Sequence, residues 1–247
     1  MADLLIIQFK RLNRQKLIYL YFVVMTSYIL SNGIQLTSKG ADEAGGYYAG
    51  GMFPIYCVQC HIDIIGPLFL AFICAFLISG ERAAGMFKQP LLAGISKKEL
   101  ITVKTFCVIV VAFTCFLFTI LLSAVITYIF WKNQLFTNIF ECFLRFLLLA
   151  IPHITISLFW VLLSLYIPNI PGMLCASLII LLVNNLFSQF FEKYISAINF
   201  MYYFYAFSGY NGIPLKQDVI TTGIIVNTIT AFLFIVLITR RMKHITL

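Results

Sequence analysis

The chain has 247 residues, of which 62% are hydrophobic and only 11% are charged, and its mean hydropathy is +0.98. A soluble domain cannot bury that much apolar surface, whereas a bilayer solvates it, so a soluble globular protein is excluded. The net charge of +8 fits orientation in a membrane better than nucleic-acid binding, and we expect no nucleic-acid partner. The composition predicts an all-α polytopic membrane protein, with residues 1–247 forming a single transmembrane domain.

Residues 1–16 have the pattern of an amphipathic helix. Leu5, Phe9 and Leu12 recur at helical spacing, while Lys10 and Arg11 lie on other faces. A basic amphipathic helix ahead of an apolar span is typical of a helix on the anionic surface of a membrane. We therefore expect an interfacial helix that contacts membrane lipid. We expect no cleavable signal peptide, because no short apolar core is followed by a small-residue cleavage site.

Six apolar segments are long enough to cross a bilayer as helices. They are Leu17–Gln35, Ile55–Ser79, Thr105–Phe130, Phe143–Ile167, Met173–Phe190 and Val219–Thr239. Six crossings place both chain ends on one side, and that side then holds twelve of the seventeen lysines and arginines. Since short cytosolic loops are enriched in Lys and Arg, the amino and carboxyl ends are both predicted to face the cytoplasm.

The densest cluster of charge lies between the second and third spans, in residues 81–104. Its apolar residues can share one face of a short helix at the membrane surface, while its lysines stay in water. The apolar residues are Leu91, Leu92 and Ile95, and the lysines are Lys88, Lys97 and Lys98. We interpret the segment as a cytosolic amphipathic helix between two spans.

The segment before the last span, residues 191–218, is predicted to lie on the outer side and is rich in aromatic residues. They include Phe200, Tyr202, Tyr203, Phe204 and Tyr205. Tyrosine prefers the headgroup level, so this stretch is expected to dip into the outer interface or lie along it. Two interpretations stay open: an aromatic belt that anchors the chain, or a re-entrant element that lines an outer gate.

Polar side chains also occur inside the predicted spans. Asp63 lies in the second span, where a buried charge costs roughly 2.5 kcal/mol or more. Arg145 lies at a similar outer depth in the fourth span. We therefore predict an Asp63–Arg145 ion pair, which His61 could join. The pair is interpreted as a structural tie, with a proton or gating site as the alternative.

No nucleotide-binding, metalloprotease or serine-hydrolase motif occurs in the sequence. We therefore assign no catalytic and no metal-binding residues, and expect the chain itself to bind no cofactor. The run Cys57-Val-Gln-Cys60-His61 does match the attachment pattern of c-type haem. It leaves open a membrane redox or haem-linked protein as an alternative function.

The arrangement resembles the ABC-2 type permeases of ATP-binding-cassette exporters. The residues that match the family's pattern follow one another in the expected order: Glu81, Gly85, Leu91-Leu92, Gly94-Ile95-Ser96, Lys97-Lys98 and Lys104. Family members have about six spans, an interfacial helix before the first, a coupling helix between spans two and three, and a re-entrant outer hairpin before span six. The chain departs from the pattern at Met86, where many members have Thr, and at 94–97, where they have Pro-(Val/Ile)-Ser-Arg.

The resemblance implies a transport subunit and not an enzyme. A separate cytosolic ATPase, in two copies, would hold ATP and Mg²⁺ and dock on residues 81–104, with Glu81 and Arg82 setting the angle of that segment. A second permease copy or a sister permease would complete the transport path.

Among such permeases the chain is most similar to the bacteriocin and lantibiotic immunity type and the bacitracin-resistance type. Those proteins expel amphipathic peptides or drugs from the bacterial cell membrane. An immunity protein that sequesters a peptide without transport stays open as a further alternative.

Overall fold

The computed structural model describes residues 2–38, 50–132, 139–195, 199–208 and 215–243. Within these ranges the fold is all-helical, at 91% helix and without strands. The helices are α1 (Ala2–Arg14), α2 (Leu17–Ser38), α3 (Phe53–Cys60), α4 (Gly66–Cys74), α5 (Glu81–Ala83), α6 (Lys88–Leu92), α7 (Lys97–Trp131), α8 (Ile139–Tyr166), α9 (Ile170–Ile195), α10 (Tyr202–Ser208) and α11 (Gln217–Lys243). The α-helical class predicted from the composition is confirmed.

Five helices in the described ranges are long and apolar enough to cross a membrane. Their candidate spans are Leu17–Thr37, Gly66–Ala83, Lys97–Trp131, Phe140–Tyr166 and Gln217–Lys243. The predicted span Met173–Phe190 falls on α9, whose described apolar part, Ile170–Asn184, is shorter. The chain is thus a multi-pass membrane protein, while the count of six spans and their bounds stay predictions.

The second predicted span is an irregular helix. Two π-helical segments, His61–Ile65 and Ala75–Gly80, join α3 to α4 and α4 to α5. Pro67 follows the first of them, and proline lacks an N–H and clashes with the carbonyl four residues earlier, which a widened turn relieves. A Cβ on Gly66 would lie 2.4 Å from Cε1 of His61, so glycine makes room for that ring.

Helices α7 and α8 form the centre of the bundle. Helices α2 and α3 pack on α7, while α10 and α11 pack on α8. The outer surface is apolar as well, as at Leu121 of α7 and Phe232 of α11, which are 65% and 69% exposed. An apolar exterior is the surface that a bilayer solvates.

The bundle has two ends. The α6 end carries α1, α5, α6, the start of α7 and the end of α8, since Arg82 donates from Nη1 to the carbonyl of Leu165 at 2.7 Å. The α10 end carries α10 and the start of α8, which Arg145 joins through a hydrogen bond to the carbonyl of Phe207. The two ends hold the two groups of predicted functional residues.

Candidate functional site

A left-handed glycine turns the chain out of the second span. Helix α5 ends before Gly85, whose φ is +68°. The N–H of Gly85 donates to the carbonyl of Arg82 at 3.0 Å, and the N–H of Met86 donates to that of Glu81 at 2.9 Å. These two bonds form a Schellman motif, which satisfies the last carbonyls of the helix and requires a residue at ease with positive φ.

The same motif ends α6. Gly94 has a φ of +86°. Its N–H donates to Leu91 at 3.0 Å, and the N–H of Ile95 donates to Pro90 at 3.0 Å. Each of the two glycines of the family pattern therefore ends a helix. The two motifs together fix the backbone conformation of the segment between α5 and α7.

Ser96 starts α7. Its Oγ accepts a hydrogen bond from the backbone N–H of Glu99 at 3.1 Å. Ser followed three residues later by Glu is the spacing of a capping box, which supplies acceptors to the free N–H groups of a first turn. Lys97 and Lys98 in this turn are exposed.

The three apolar residues predicted to share a face are not equivalent. Leu92 is 87% exposed, whereas Leu91 and Ile95 are half-buried, and Ile95 packs against the core. Lys88 beside them is exposed. Leu92 is thus the apolar side chain that α6 presents outwards.

Beneath this turn lies a buried ionic cluster centred on Lys104. Its Nζ donates to Oε2 of Glu81 at 2.7 Å, to the carbonyl of Leu77 at 2.7 Å and to Oε1 of Gln8 at 3.1 Å. Arg11 contacts the other oxygen of Glu81 at 3.1 Å. Lys104 and Gln8 are 0% and 1% exposed, and the cluster joins α1, the second span and α7.

Phe87 connects the turn to this cluster. Its ring is buried and lies 5.3 Å from Nζ of Lys104, within the range of a cation–π contact. A displacement of α6 would therefore reach Lys104 through Phe87.

Sequence analysis included Glu81 and Lys104 in the family pattern but did not predict that they contact each other. It did not identify Gln8. The spacing along α1 could have identified Gln8. It lies four residues after Leu4 and four before Leu12, in an apolar stripe whose three members are all buried. A polar side chain in such an apolar stripe requires a buried partner.

At the α10 end, the aromatic residues point into the bundle. Tyr203 and Phe204 are buried, while Phe200, Tyr202 and Tyr205 are half-buried. Helix α10 packs on α8, α3 and α11. The choice between an anchoring belt and an outer gate stays a prediction, since much of 191–218 lies outside the described residues.

Two side chains hold the carboxyl end of α10. Gln59 donates to the carbonyl of Ser208 at 3.1 Å, and Nη1 of Arg145 donates to that of Phe207 at 3.2 Å. Nε and Nη2 of Arg145 also donate to Oε1 of Glu141, at 2.9 and 2.7 Å. A cation at this end complements the helix dipole, and the two bonds satisfy carbonyls that the helix leaves free.

Of the predicted Asp63–Arg145 pair, the structure describes the side chain of Arg145 only. Arg145 is 2% exposed and pairs with Glu141, a partner that the sequence reasoning missed. The side chain of Asp63 lies outside the described part of the structure, so its pairing with Arg145 stays a prediction.

His61 lies in the interior and contacts neither end. Its Nδ1 is 2.7 Å from the hydroxyl of Tyr21, and its Nε2 is 3.2 Å from Nε2 of His153. The two imidazoles are parallel, with an interplanar angle of 4°. The sequence analysis singled out His61 alone, and nothing in the spacing of His61 and His153 indicates that the two rings meet.

The haem pattern does not fit this environment. A haem at Cys57-x-x-Cys60-His61 needs a free nitrogen of His61, and both nitrogens already have protein partners. Cys57 is fully buried, and the side chain of Cys60 lies outside the described residues. Within the described part of the chain, no cluster of three His, Cys, Asp or Glu residues could hold a metal ion.

Comparison with known proteins adds a family to this geometry. The family model described as "ABC-2 family transporter protein" matches residues 4–184, more than half of the chain. The match includes most of α1, the turn around α6, the Lys104 cluster and the histidine pair. A comparison with curated proteins found no match.

Proposed function

Because the chain belongs to the ABC-2 family of transporter proteins and is a transmembrane subunit of an ABC transporter, we propose that it is the permease of an ATP-driven exporter. Membership implies association with an ABC ATPase. Its proposed cargo is amphipathic peptides, including antimicrobial or toxin peptides, expelled from a bacterial cell membrane. The observation that carries the coupling part of the proposal is Leu92, exposed on a turn that connects to a buried cluster.

In this proposal the α6 end faces the cytoplasm. Leu92 inserts into an apolar groove of the ATPase, and Lys88, Lys97 and Lys98 around it interact with acidic groups at the rim. When the ATPase closes on ATP and Mg²⁺, it displaces α6. Phe87 passes the displacement to Lys104 and Glu81, and these residues move α7, the second span and α1 together.

The outer end would release the cargo. Helix α10 is held by Gln59 and Arg145, so a movement of α3 against α8 would free its carboxyl end. Aromatic side chains suit an amphipathic peptide, because they contact apolar residues and keep a polar tip. Two permease chains, either two copies of this one or this chain with a sister, would enclose the path, with an ATPase bound to each.

The docking step can be tested with Leu92→Asp. Burying a leucine contributes about 1.5–3 kcal/mol. The amount of ATPase that co-purifies with the charged variant should therefore fall by about tenfold or more. The measurement is co-purification of the chain with candidate ABC ATPases from the same organism, followed by titration in nanodiscs. The matched control is Phe140→Asp, since Phe140 is 78% exposed but lies at the opposite end.

We expect Phe140→Asp to retain the ATPase as the wild type does. Ile95 is a poor test position because it packs on the core, and its loss would disturb folding. Equal ATPase binding by wild type and Leu92→Asp would contradict the docking surface. If the wild type binds no ATPase, the proposal that the chain is the permease of an ATP-driven exporter is contradicted.

The cargo class needs a separate measurement. In proteoliposomes that contain the ATPase, a cationic amphipathic peptide should stimulate ATP hydrolysis several-fold and leave the membrane only when ATP is present. A peptide of the same composition with its apolar residues scattered should do neither. Peptide binding without any effect of ATP would favour the sequestering immunity protein, and absence of binding would remove peptides as the cargo.

A further inference from the structure

A hydrogen-bond chain crosses the middle of the bundle. The hydroxyl of Tyr21 lies 2.7 Å from Nδ1 of His61, and Nε2 of His61 lies 3.2 Å from Nε2 of His153. Nδ1 of His153 lies 2.8 Å from the carbonyl oxygen of Leu149. All three side chains are at most 3% exposed, so these contacts replace contacts with water.

The donor and acceptor of every hydrogen bond in this series follow from the last contact, between His153 and the carbonyl of Leu149. A carbonyl oxygen only accepts, so Nδ1 of His153 carries a proton. In the neutral ring Nε2 of His153 is then an acceptor, so Nε2 of His61 must donate to it. Nδ1 of His61 is therefore an acceptor as well, and Tyr21 must donate to it. The neutral chain has one consistent arrangement of protons.

Tyr21 has a second acceptor within reach. Its hydroxyl lies 3.3 Å from the carbonyl oxygen of Cys115 and 2.9 Å from Oγ1 of Thr119. We propose that Tyr21, His61 and His153 form a proton-binding site that takes up one proton on the imidazole pair. Nδ1 of His61 gains the proton and donates to Tyr21, whose own hydroxyl proton rotates to the carbonyl of Cys115.

The site accepts one proton and excludes a second. With one added proton every bond persists, and the charge lies on His61 or, after transfer between the two Nε2 atoms, on His153. With two added protons both Nε2 atoms carry hydrogen and face each other at 3.2 Å, which replaces the bond by repulsion. The two histidines therefore bind a proton as a unit.

The groups around the pair are few. Helix α7 contributes Cys115 and the ring of Phe116, and α10 contributes the ring of Phe204. On α8, Arg145 lies two turns before His153 and is bonded to Glu141. On its own helix His61 has the buried Cys57 one turn before it, and Cys60 and Asp63 are close in sequence, with side chains outside the described residues.

Proton uptake changes a contact between helices. In the neutral site Tyr21 of α2 donates to the second span, and in the protonated site it donates to α7. Since the contact between Tyr21 and His61 persists with its direction reversed, protonation adds a hydrogen bond from Tyr21 to the carbonyl of Cys115 and tightens α2 against α7. This inference does not rest on the identity of the transported cargo.

The full chain in lipid nanodiscs, labelled with ¹⁵N in its imidazoles, tests the site by NMR. The sequence has three histidines, and the third, His244, serves as the reference. At about pH 8 we expect one ring protonated at Nδ1, one protonated at Nε2, and an ¹⁵N–¹⁵N coupling between their Nε2 atoms. As the pH falls towards about 5, both rings should change in one step that adds a single proton and retains the coupling.

Identical tautomers, absence of the coupling, two separate steps, or two rings that stay neutral down to about pH 4 would each overturn the proposal. His244→Gln identifies the reference signals. Tyr21→Phe should release the tautomer of His61 and weaken the coupling, whereas Thr119→Val should leave both in place. If Tyr21→Phe does not fold, the wild-type spectra decide on their own.

Discussion

Lys104 buries its ammonium group completely and gives each of its three N–H donors an acceptor. A charge so deep is tolerated only when it is paired, and Glu81 supplies the opposite charge at 2.7 Å. Removing Glu81 leaves the buried ammonium group of Lys104 without a counter-charge, whereas removing Lys104 leaves Glu81 paired with Arg11. Removing both leaves no buried charge at all.

We therefore expect Glu81→Gln to destabilise the protein by about 3–5 kcal/mol, since it leaves the cation of Lys104 without a counter-charge. The double variant Glu81→Gln with Lys104→Met should recover part of that loss. Thermal unfolding of the purified protein in nanodiscs measures both. Additive losses in the double-mutant cycle would show that the pair does not interact in the way the geometry indicates.

At the residue scale, the sequence predicted individual polar positions better than their partners. Glu81, Lys104, Arg145 and His61 were all singled out. Their contacts depend on the register between helices far apart in the chain, as for His61 and His153, and periodicity within one helix carries no information about that register.

At the element scale, the turn around α6 depends on two positive φ angles. An Ala at Gly94 would meet no atom within 4 Å, so its penalty is conformational and not steric crowding. We expect Gly94→Ala to destabilise the turn by about 1–2 kcal/mol and to weaken ATPase binding by about tenfold. Titration of the ATPase against the variant in nanodiscs measures the effect.

Gly94→Asn is the matched control, because Asn tolerates the left-handed region better than Ala. It should lie between wild type and Gly94→Ala. The reverse order would mean that the space around Gly94, and not its φ, limits substitution once the ATPase is bound.

Elements were predicted where one periodic pattern runs without interruption. The apolar runs of α7 and α8 indicated long helices, and the structure has them at Lys97–Trp131 and Ile139–Tyr166. The π segments in the second span were not predicted. The Gly66-Pro67 pair was their available signal, but a proline in a helix indicates a disturbance without specifying which form relieves it.

At the scale of the whole molecule, the orientation of the chain depends on α9. The described ranges hold five other candidate spans, and an odd number would place the two chain ends on opposite sides of the membrane. Asn184 limits the described apolar part of α9, and its Oδ1 accepts a hydrogen bond from Asn199 at 3.0 Å. An internal partner of this kind lets a helix carry a polar residue at membrane depth.

We predict that α9 crosses the membrane and that both chain ends face the cytoplasm, because the side with the α6 end carries most of the basic residues. Cysteines introduced one at a time at the exposed positions Leu92, Phe140 and Lys243, in a background with Cys60→Ser and Cys175→Ser, report the side through a membrane-impermeant maleimide. Intact cells should label Phe140→Cys alone, and permeabilised cells should label all three. Labelling of Lys243→Cys in intact cells, with Leu92→Cys still protected, would mean that α9 does not cross. The resulting odd number of spans would then separate Arg240 and Arg241 from the cytoplasmic side, against the charge asymmetry on which the orientation rests.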